Sequence, residues 1–342
     1  MKYISFVVPS YNSEAYLNKC VDSLLLGGED VEIIIVNDGS KDNTINIAND
    51  YLLKYPSIVK VIDKENGGHG SGINSGLEVA TGLFFKCVDS DDWVDEDAYM
   101  KLLNKIKEHH ASNTLPDLYF TNYVFERVDQ NKQHTEDFIK RCFPQDKIFG
   151  WNEVKKLKLA EFILMHMTTF SLEVLKKCEM RLPEHCFYVD SCFAYKPLRY
   201  VEKMYYMDID FYRYYVGRPN QSVTFENMTK RYYMQLLVTK SILGYYSYDE
   251  LKSLPKKHFR FLKHELTIKM YLALFYVYAD LNKEKKKVYK EYWKDIKAKD
   301  KKMYRKMRYG SYFVISELFI GPIKRLVTKI VYKIIIKKTL WN

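Results

Sequence analysis

The chain has 342 residues, 47% of them hydrophobic, which is enough for one large catalytic domain plus a smaller region. Its net charge of +11 is uneven, because Lys283 to Asn342 holds 19 Lys or Arg against 5 Asp or Glu. No run of 18 or more apolar residues occurs, and the first residues lack a signal-peptide pattern, so we expect neither a membrane span nor a leader. The six cysteines show no metal-site spacing, which favours reduced thiols in the cytoplasm.

The first hundred residues alternate strand and helix patterns. Apolar runs predict strands over 3–8, 31–36, 58–62 and 83–88, and the segments between them predict helices over 14–26, 43–54 and 73–80. This order predicts an α/β fold with a mostly parallel central sheet flanked by helices. Ligands of such sheets bind beyond the carboxyl ends of the strands, where the most informative loops fall.

The second half of the chain changes character. After Thr229 it becomes helical and rich in tyrosine, and from Lys283 it becomes rich in lysine. We therefore predict a catalytic domain over 1–225 and a helical, basic C-terminal extension over 226–342.

The strongest local signal is Asp89-Ser90-Asp91-Asp92-Trp93, directly after the fourth strand. Carboxylates this close repel one another, so a cation or hydrogen-bond donors must compensate them. Mg²⁺ or Mn²⁺ takes carboxylate oxygens and can bridge to a diphosphate. The alternative is a capped turn, in which Asp92 or Asp95 begins a helix over 96–107. The position at a strand's carboxyl end favours metal and nucleotide binding.

Three ordered motifs resemble the nucleotide-sugar domain of family-2 glycosyltransferases: Val7-Val8-Pro9-Ser10-Tyr11-Asn12, the segment Val36 to Thr44, and Asp89-Ser90-Asp91-Asp92. The resemblance is strong over residues 1–125 and thins out towards 225. It implies a GT-A (Rossmann-like) fold, inversion at the anomeric centre, and a divalent metal. It also implies a nucleotide-diphosphate sugar as donor, with a UDP-sugar expected.

The resemblance also implies roles for single residues. Pro9 and Tyr11 would line the base pocket, and Asp38 would hydrogen-bond the base. Asp89 would hold the ribose, and Asp91 would coordinate the Mn²⁺ or Mg²⁺ that bridges the diphosphate. Taken alone, Asp38 would indicate only an ordinary Asp-Gly turn.

A glycine-rich segment over 66–74 is the second signal. Its backbone amides lead into a helix N-terminus, which suits phosphate or sugar oxygens, so Gly68 and His69 are candidate donor-binding residues. The segment follows the third strand, so it is not a dinucleotide fingerprint. Ile73 stands where family members often have an arginine, and His69, Lys86 or a later arginine are possible substitutes.

An inverting transferase needs a carboxylate that takes the proton of the acceptor hydroxyl. The resemblance places this base in Tyr188-Val189-Asp190-Ser191-Cys192-Phe193, with Asp190 as the base. Val189 replaces the acid that usually precedes it, and Glu184 is the fallback. The alternative for Asp190 is a helix cap for 191–198.

The segment Tyr212 to Ser222 resembles the loop that closes over the donor diphosphate. Arg218 would offer paired donors to phosphate and Ser222 a hydroxyl, although a solvated loop is the alternative. His166 is open between a position facing the acceptor and an ordinary place in the core.

The tail over 323–341, as a helix, would put Arg325, Lys329, Lys333 and Lys337 on one stripe with apolar residues on the rest of its surface. Such a helix can lie on an anionic membrane surface, or it can pack on the protein. We therefore expect a cytoplasmic enzyme peripheral on the inner face of the cell membrane, with nucleic acid an unlikely partner.

The combined hypothesis is an inverting glycosyltransferase that extends a cell-surface polysaccharide or a lipid-linked glycan, with Asp190 as base. A nucleotidyl- or alditol-phosphate transferase is an enzymatic alternative. A non-catalytic protein that binds glycan or nucleic acid through its basic tail is the alternative from another class.

Overall fold

The computed structural model describes residues 1–159, 161–217, 221–279 and 282–309, together with Ile323 and Leu326. Residue contacts divide the chain into two compact units, one of 1–155 with 164–219 and one of 156–163 with 220–342. After the segment 156–163, the second unit continues from residue 220, which is close to the boundary predicted at 225. The roles assigned to 1–225 and 226–342 remain predictions.

The first unit is built around one sheet of ten strands. They are β1 (Ile4–Ser10), β2 (Val31–Asp38), β3 (Val59–Lys64), β4 (Phe84–Cys87), β5 (Trp93–Val94), β6 (Leu118–Arg127), β7 (Lys132–Glu136), β8 (Ile148–Phe149), β9 (Thr168–Ser171) and β10 (Met204–Tyr215). Its helices are α1 (Leu17–Leu25), α2 (Thr44–Lys54), α3 (His69–Val79), α4 (Glu96–Ala111), α5 (Ile139–Cys142), α6 (Leu172–Lys177) and α7 (Asp190–Tyr195).

The strand order along the sheet is β3-β2-β1-β4-β9-β6-β10-β5, with β7 paired to β6 and β8 to β10. The pairs β3–β2, β2–β1, β1–β4 and β6–β10 are parallel, and β9 runs antiparallel between β4 and β6. The predicted α/β fold with a central sheet flanked by helices is confirmed, and its leading strands β3-β2-β1-β4 are parallel, whereas β5, β7, β8 and β9 pair antiparallel. Its four leading strands end at a common edge, as their sequence order requires.

The centre of the sheet is apolar on both faces. Every residue of β1 and β2 is buried, which is typical of parallel strands covered by helices on both sides. Runs such as Ile33-Ile34-Ile35-Val36 suit this position, because β-branched side chains pack well on a pleated surface.

Helix α3 begins at His69, four residues before the predicted start at 73. The early start is possible because the glycines on one side of the helix let it approach its neighbours closely. A Cβ on Gly72 would lie 2.9 Å from the Cβ of Pro9, and one on Gly76 would lie 2.3 Å from Val7 Cγ1. The glycines of this segment therefore serve helix–sheet packing as well as the loop before it.

The second unit is helical over its described residues. Its helices are α8 (Phe225–Lys230), α9 (Tyr232–Tyr245), α10 (Tyr248–Lys252), α11 (Lys256–Ala279), α12 (Lys283–Lys299) and α13 (Lys301–Arg308). The segment 156–163 belongs here because the buried Glu265 accepts a hydrogen bond from the amide of Ile163 at 3.1 Å and pairs with Lys269 at 2.7 Å.

No helix in the described part of the chain has the length and apolar character needed to cross a bilayer. All six cysteines lie within the described residues and are buried thiols. The proposed amphipathic tail lies outside the described residues, apart from Ile323 and Leu326, which are helical and exposed.

We predict that Gly76→Ala destabilises the protein. Alanine in a helix is normally more stable than glycine by about 1 kcal/mol, but here the added methyl group would collide with Val7 in β1. Overpacking of this kind costs about 1–3 kcal/mol, so the free energy of unfolding in urea should fall.

Gly150→Ala is the matched control. Its φ of −114° suits alanine, and the nearest atom to its added Cβ is Glu202 O at 3.5 Å. This variant should leave the free energy of unfolding nearly unchanged. Equal stability of the two variants would show that the packing of α3 on β1 is looser than described.

Candidate active site

Polar residues gather at the edge where the four parallel strands end. β2 ends at Asp38 and β3 at Lys64, and these two residues are paired in the register. β1 ends at Ser10, and Asp89 follows the end of β4 two residues on. The sequence motifs that were far apart along the chain therefore meet at one edge, as expected for ligand sites of such sheets.

Asp38 is buried and holds the glycine segment in place. Its Oδ1 accepts hydrogen bonds from Lys64 Nζ and the Gly67 amide, both at 2.9 Å, and its Oδ2 accepts one from the Gly68 amide at 2.7 Å. Gly68 has φ +84°, a conformation that favours glycine. Both carboxylate oxygens are thus engaged by the protein, and the hydrogen bond of Asp38 to a base remains a prediction.

The glycine segment docks on the chain that leads to Asp190. The Gly67 carbonyl accepts a hydrogen bond from the His185 amide at 2.5 Å, and a Cβ on Gly70 would lie 2.2 Å from Pro183 O. Asn74 exchanges two hydrogen bonds with the backbone of Leu182, at 2.8 and 3.0 Å. These contacts fix the segment before α7 against the glycine segment.

His69 and Asp89 form the central polar contact. His69 Nε2 lies 2.8 Å from Asp89 Oδ1, and both side chains are partly exposed. Burial lowers the pKa of His69, but the charge and hydrogen bond of Asp89, together with the charges of Asp190 and Asp38, outweigh it and raise the pKa above its ordinary value. The acidic surroundings of His69 thus stabilise its protonated form relative to the free side chain.

Asp92 is buried and serves the framework. Its carboxylate accepts a hydrogen bond from the Tyr212 hydroxyl at 2.6 Å and one from the Tyr215 amide at 2.8 Å, which tie it to β10. Burial and the neighbouring charge of Asp89 raise its pKa well above the ordinary value. Asp95, and not Asp92, caps helix α4 by accepting a hydrogen bond from the Ala98 amide at 3.1 Å.

Lys86 lies fully buried behind the site. Its Nζ is 3.2, 2.5 and 3.1 Å from the carbonyl oxygens of Met165, His166 and Thr168. These match the three donors of an ammonium group, so Lys86 is not placed to contact a diphosphate. Burial lowers its pKa to about 7.

His166 lies in the core beside the acidic motif, in the turn 165–168 whose carbonyl oxygens bind Lys86. Its ring contacts Tyr212 and stacks on Tyr214, with centroids 4.7 and 4.6 Å apart. Its Nε2 lies 3.9 Å from Asp89 Oδ2, and neither ring nitrogen has a hydrogen-bond partner among the described residues. Burial lowers its pKa to about 4, so the imidazole is neutral near pH 7.

Two groups of side chains could hold a metal ion within the described residues. One is His69, Cys87 and Asp89, and the other is Asp89, Asp92 and His166. Asp91 is half-buried and belongs to neither. An ion bridging to a diphosphate needs only one or two protein carboxylates, so the predicted metal role of Asp91 remains open to test.

Aromatic side chains surround the same edge. Tyr11 follows β1 and is 50% exposed, whereas Pro9 is buried inside the strand. Tyr215 contacts Tyr16 and Trp93 edge-on, with centroids 6.1 and 6.3 Å apart. The exposed ring of Tyr11 suits stacking on a flat base, while Pro9 supports the strand from within, and both base-pocket roles remain predictions.

The remaining candidates are placed less completely. Asp190 is the first residue of α7 and half-buried, while Glu184 is exposed and pairs with Arg181 at 3.3 Å. Arg218 lies outside the described residues. Ser222 belongs to the second unit. The donor roles of Arg218 and Ser222 and the base role of Asp190 remain predictions.

Several residues that hold the site together through hydrogen bonds were not identified from the sequence. Tyr212 joins the acidic motif to β10, since its hydroxyl donates to Asp92 and accepts from the Asp89 amide at 3.1 Å. Ser13 and Ser90 are linked through their hydroxyls at 2.6 Å. No local pattern in the sequence marks these partners, because 120 residues separate Tyr212 from Asp92 and 77 separate the serines.

Comparison with known proteins identifies the family to which this site belongs. The model of the family "Glycosyl transferase family 2" matches residues 5–173. Putative glycosyltransferase EpsH of Bacillus subtilis is 35% identical over 184 residues, which cover 49% of this chain and 50% of EpsH. The poly(ribitol-phosphate) beta-glucosyltransferase of Bacillus spizizenii is 39% identical over 167 residues, covering 46% of this chain and 26% of that protein. The chain thus spans half or less of these relatives.

A solved structure extends the likeness in fold. The crystal structure of S. aureus TarS 1–349 in complex with UDP-GlcNAc matches with a TM-score of 0.64 at 20% identity, over 89% of this chain and 83% of that chain. The GT-A fold expected from the motifs is therefore confirmed. Through the domain that residues 5–173 define, this chain belongs to glycosyltransferase family 2.

Proposed function

We propose that this chain is an inverting glycosyltransferase that moves a sugar from a UDP-sugar to a hydroxyl of a glycan or lipid-linked acceptor during cell-surface polysaccharide synthesis. The observation that carries the proposal is that Asp38, which ends β2 and binds the Gly68 amide, meets the pair of His69 and Asp89 at the carboxyl edge of the sheet, within the family-2 domain. Acid–base groups with shifted pKa values at such an edge are typical of an active site.

The donor would lie along the ends of β1, β2 and β4. Tyr11 would stack on the base, Asp38, which also holds the amides of Gly67 and Gly68, would hydrogen-bond it, and Asp89 would hold the ribose. A UDP-sugar is favoured because TarS, which shares the fold, is described in complex with UDP-GlcNAc. The relative that glucosylates poly(ribitol phosphate) supports a cell-wall polymer as acceptor.

The diphosphate would be held by a divalent cation and by protein donors. The acidic motif fits such an ion, because Asp89 and Asp92 have ligand atoms within 4.8 Å of each other and half-buried Asp91 lies between them in the sequence. Bound by Asp91, Mn²⁺ or Mg²⁺ would neutralise the negative charge of the departing nucleoside diphosphate. His69 is a further donor, since its raised pKa favours the cationic ring.

Asp190 would accept the proton of the attacking hydroxyl in a single displacement. It is the first residue of α7, and the hydrogen bonds between Asn74 and Leu182 join the chain that leads to it to the glycine segment.

We predict that Asp190→Asn lowers release of UDP from UDP-glucose or UDP-GlcNAc by about 10²–10⁴-fold, because an amide cannot take up the proton. Glu184→Gln is the matched control and should keep full activity, since Glu184 is exposed and paired with Arg181. The reverse pattern would transfer the role of base to Glu184. Release of UMP instead of UDP would support the phosphate-transferase alternative.

Asp91→Ala should abolish the metal-dependent part of the same reaction. The variant should keep its fold, because Asp91 is half-buried and the hydrogen bonds of Asp92 and Asp95 to the framework are left in place. Circular dichroism checks the fold, and a titration with Mn²⁺ checks the activity. Full Mn²⁺-dependent activity in this variant would defeat the assignment of Asp91.

We also propose that the basic tail docks the enzyme on the inner face of the cell membrane. Deleting 311–342 should leave the protein in the supernatant when it is sedimented with phosphatidylglycerol vesicles, while the full chain sediments and is released by salt. Replacing Lys329, Lys333 and Lys337 by Glu should have the same effect without shortening the chain. Vesicle binding that survives both changes would reject the tail as the membrane contact.

A further inference from the structure

Three lysines from three helices of the second unit lie close together without a carboxylate partner among the described residues. They are Lys252 in α10, Lys263 in α11 and Lys306 in α13, which we call the cationic cluster. By contrast, Lys302, one turn before Lys306, pairs with Asp249 at 2.6 Å. Like charges held close together are unfavourable, so the cationic cluster points to an anion that binds among the three ammonium groups.

Helix α10 brings the first of these lysines onto α11. The rings of Tyr248 and Phe259 meet edge-on with centroids 5.8 Å apart, and Lys252 Nζ lies 5.0 Å from the centroid of the Phe259 ring. Lys263 follows Phe259 by four residues, so its side chain lies one turn further along the same face of α11. Lys252 and Lys263 therefore share one surface.

Helix α13 is joined to α10 by two polar contacts. Asp249 pairs with Lys302 at 2.6 Å, and Asp300 accepts a hydrogen bond from the Tyr248 amide at 2.8 Å. Lys306 follows Lys302 by four residues, so it lies on the face of α13 that adjoins α10. The contacts of α10 with both longer helices thus bring the third lysine to the other two.

The charges of the cationic cluster act on one another. Lys263 is half-buried, whereas Lys252 and Lys306 are exposed. Burial lowers the pKa of Lys263, and the positive charges of Lys306 and Lys252 lower it further. The nearby carboxylates of Asp249 and Glu250 already bind Lys302 and Ser247, respectively. The repulsion among the three lysines is therefore left for a ligand to offset.

We propose that Lys252, Lys263 and Lys306 form a binding site for a phosphate group, separate from the donor site of the first unit. A lipid headgroup and a soluble phosphate ester both carry this group, and the experiment below distinguishes them. Binding here needs neither a sugar donor nor a metal, so it goes beyond the proposed function and does not depend on it.

The geometry of the cationic cluster suits phosphate better than carboxylate. A lysine ammonium is a compact point charge with three donors, whereas the planar fork of arginine is the side chain that matches a carboxylate. Three ammonium groups that approach from three helices suit a tetrahedral anion, which offers oxygen atoms in several directions. An ordinary basic surface looks different: three exposed lysines follow one face of the single helix α12, namely Lys286, Lys290 and Lys294.

The test is a calorimetric titration of the full-length protein with inorganic pyrophosphate, at low ionic strength and with EDTA present so that no metal-bridged diphosphate forms at the donor site. The cluster variant combines Lys252→Gln, Lys263→Gln and Lys306→Gln. It should bind pyrophosphate about tenfold more weakly than wild type, or weaker still, because it loses three charge-assisted hydrogen bonds.

The control variant combines Lys286→Gln, Lys290→Gln and Lys294→Gln. It loses the same charge from the same unit and should bind pyrophosphate like wild type. Without ligand, the cluster variant should melt no lower than the control variant, because glutamine removes the repulsion among the lysines. A cluster variant that melts well below the control would overturn the repulsion on which the site rests.

Sedimentation of both variants with phosphatidylglycerol vesicles identifies the source of the phosphate group. Weaker vesicle binding by the cluster variant than by the control would assign a lipid headgroup. Equal vesicle binding, with pyrophosphate binding lost only in the cluster variant, would assign a soluble phosphate ester. Equal behaviour of the two variants in both measurements would overturn the site. Sugar transfer is absent from all of them, so a failed transferase assay leaves their outcome unaffected.

Discussion

The structure depends on how several carboxylates are held together at one edge of a parallel sheet. Like charges at short range are unfavourable, so each must have a compensating partner. Asp38 has two backbone amides and Lys64, Asp92 has a tyrosine hydroxyl and an amide, and Asp89 has His69. These partners come from two parts of the chain, residues 64–69 and strand β10, which the fold brings to the same edge.

The groups that stabilise these carboxylates lie on two sides of the edge. On the inner side, Lys86 secures the turn at 165–168 and Tyr212 ties the acidic motif to β10, so the edge is rigid from behind. On the outer side, Gly68, His69 and Asp89 remain partly accessible. A rigid base with an accessible polar surface is the arrangement that positions a charged ligand at little cost in reorganisation.

The sequence was sufficient for the features that are local. The alternating strands and helices, the common carboxyl edge and the GT-A fold follow from hydrophobic periodicity and from three motifs, and the structure agrees within a few residues. The start of α3 was misplaced because glycines usually break helices, whereas here they let His69 to Val79 lie against Val7 and Pro9. That reason is tertiary, and the local pattern does not contain it.

The hydrogen-bond partners of the site residues could not be predicted from the sequence, because they too are set by tertiary contacts. Nothing near Asp92 indicates that Tyr212 will bind it, and nothing near Asn74 indicates Leu182. Lys86 looked like a candidate for phosphate because it lies beside the acidic motif, but strand alternation turns it into the core. The sequence left two interpretations of His166, a core residue or a functional one. The structure places it in the core, with no hydrogen-bond partner for either ring nitrogen among the described residues.

The central claim is that this edge holds a nucleoside diphosphate through a divalent ion. Calorimetric binding of UDP and UMP, each with and without Mn²⁺, tests it most directly. The account predicts that Mn²⁺ tightens binding of UDP by about tenfold or more and that of UMP much less, because UMP lacks the second phosphate that the ion bridges. UDP binding that is absent, or that is indifferent to Mn²⁺, would contradict it.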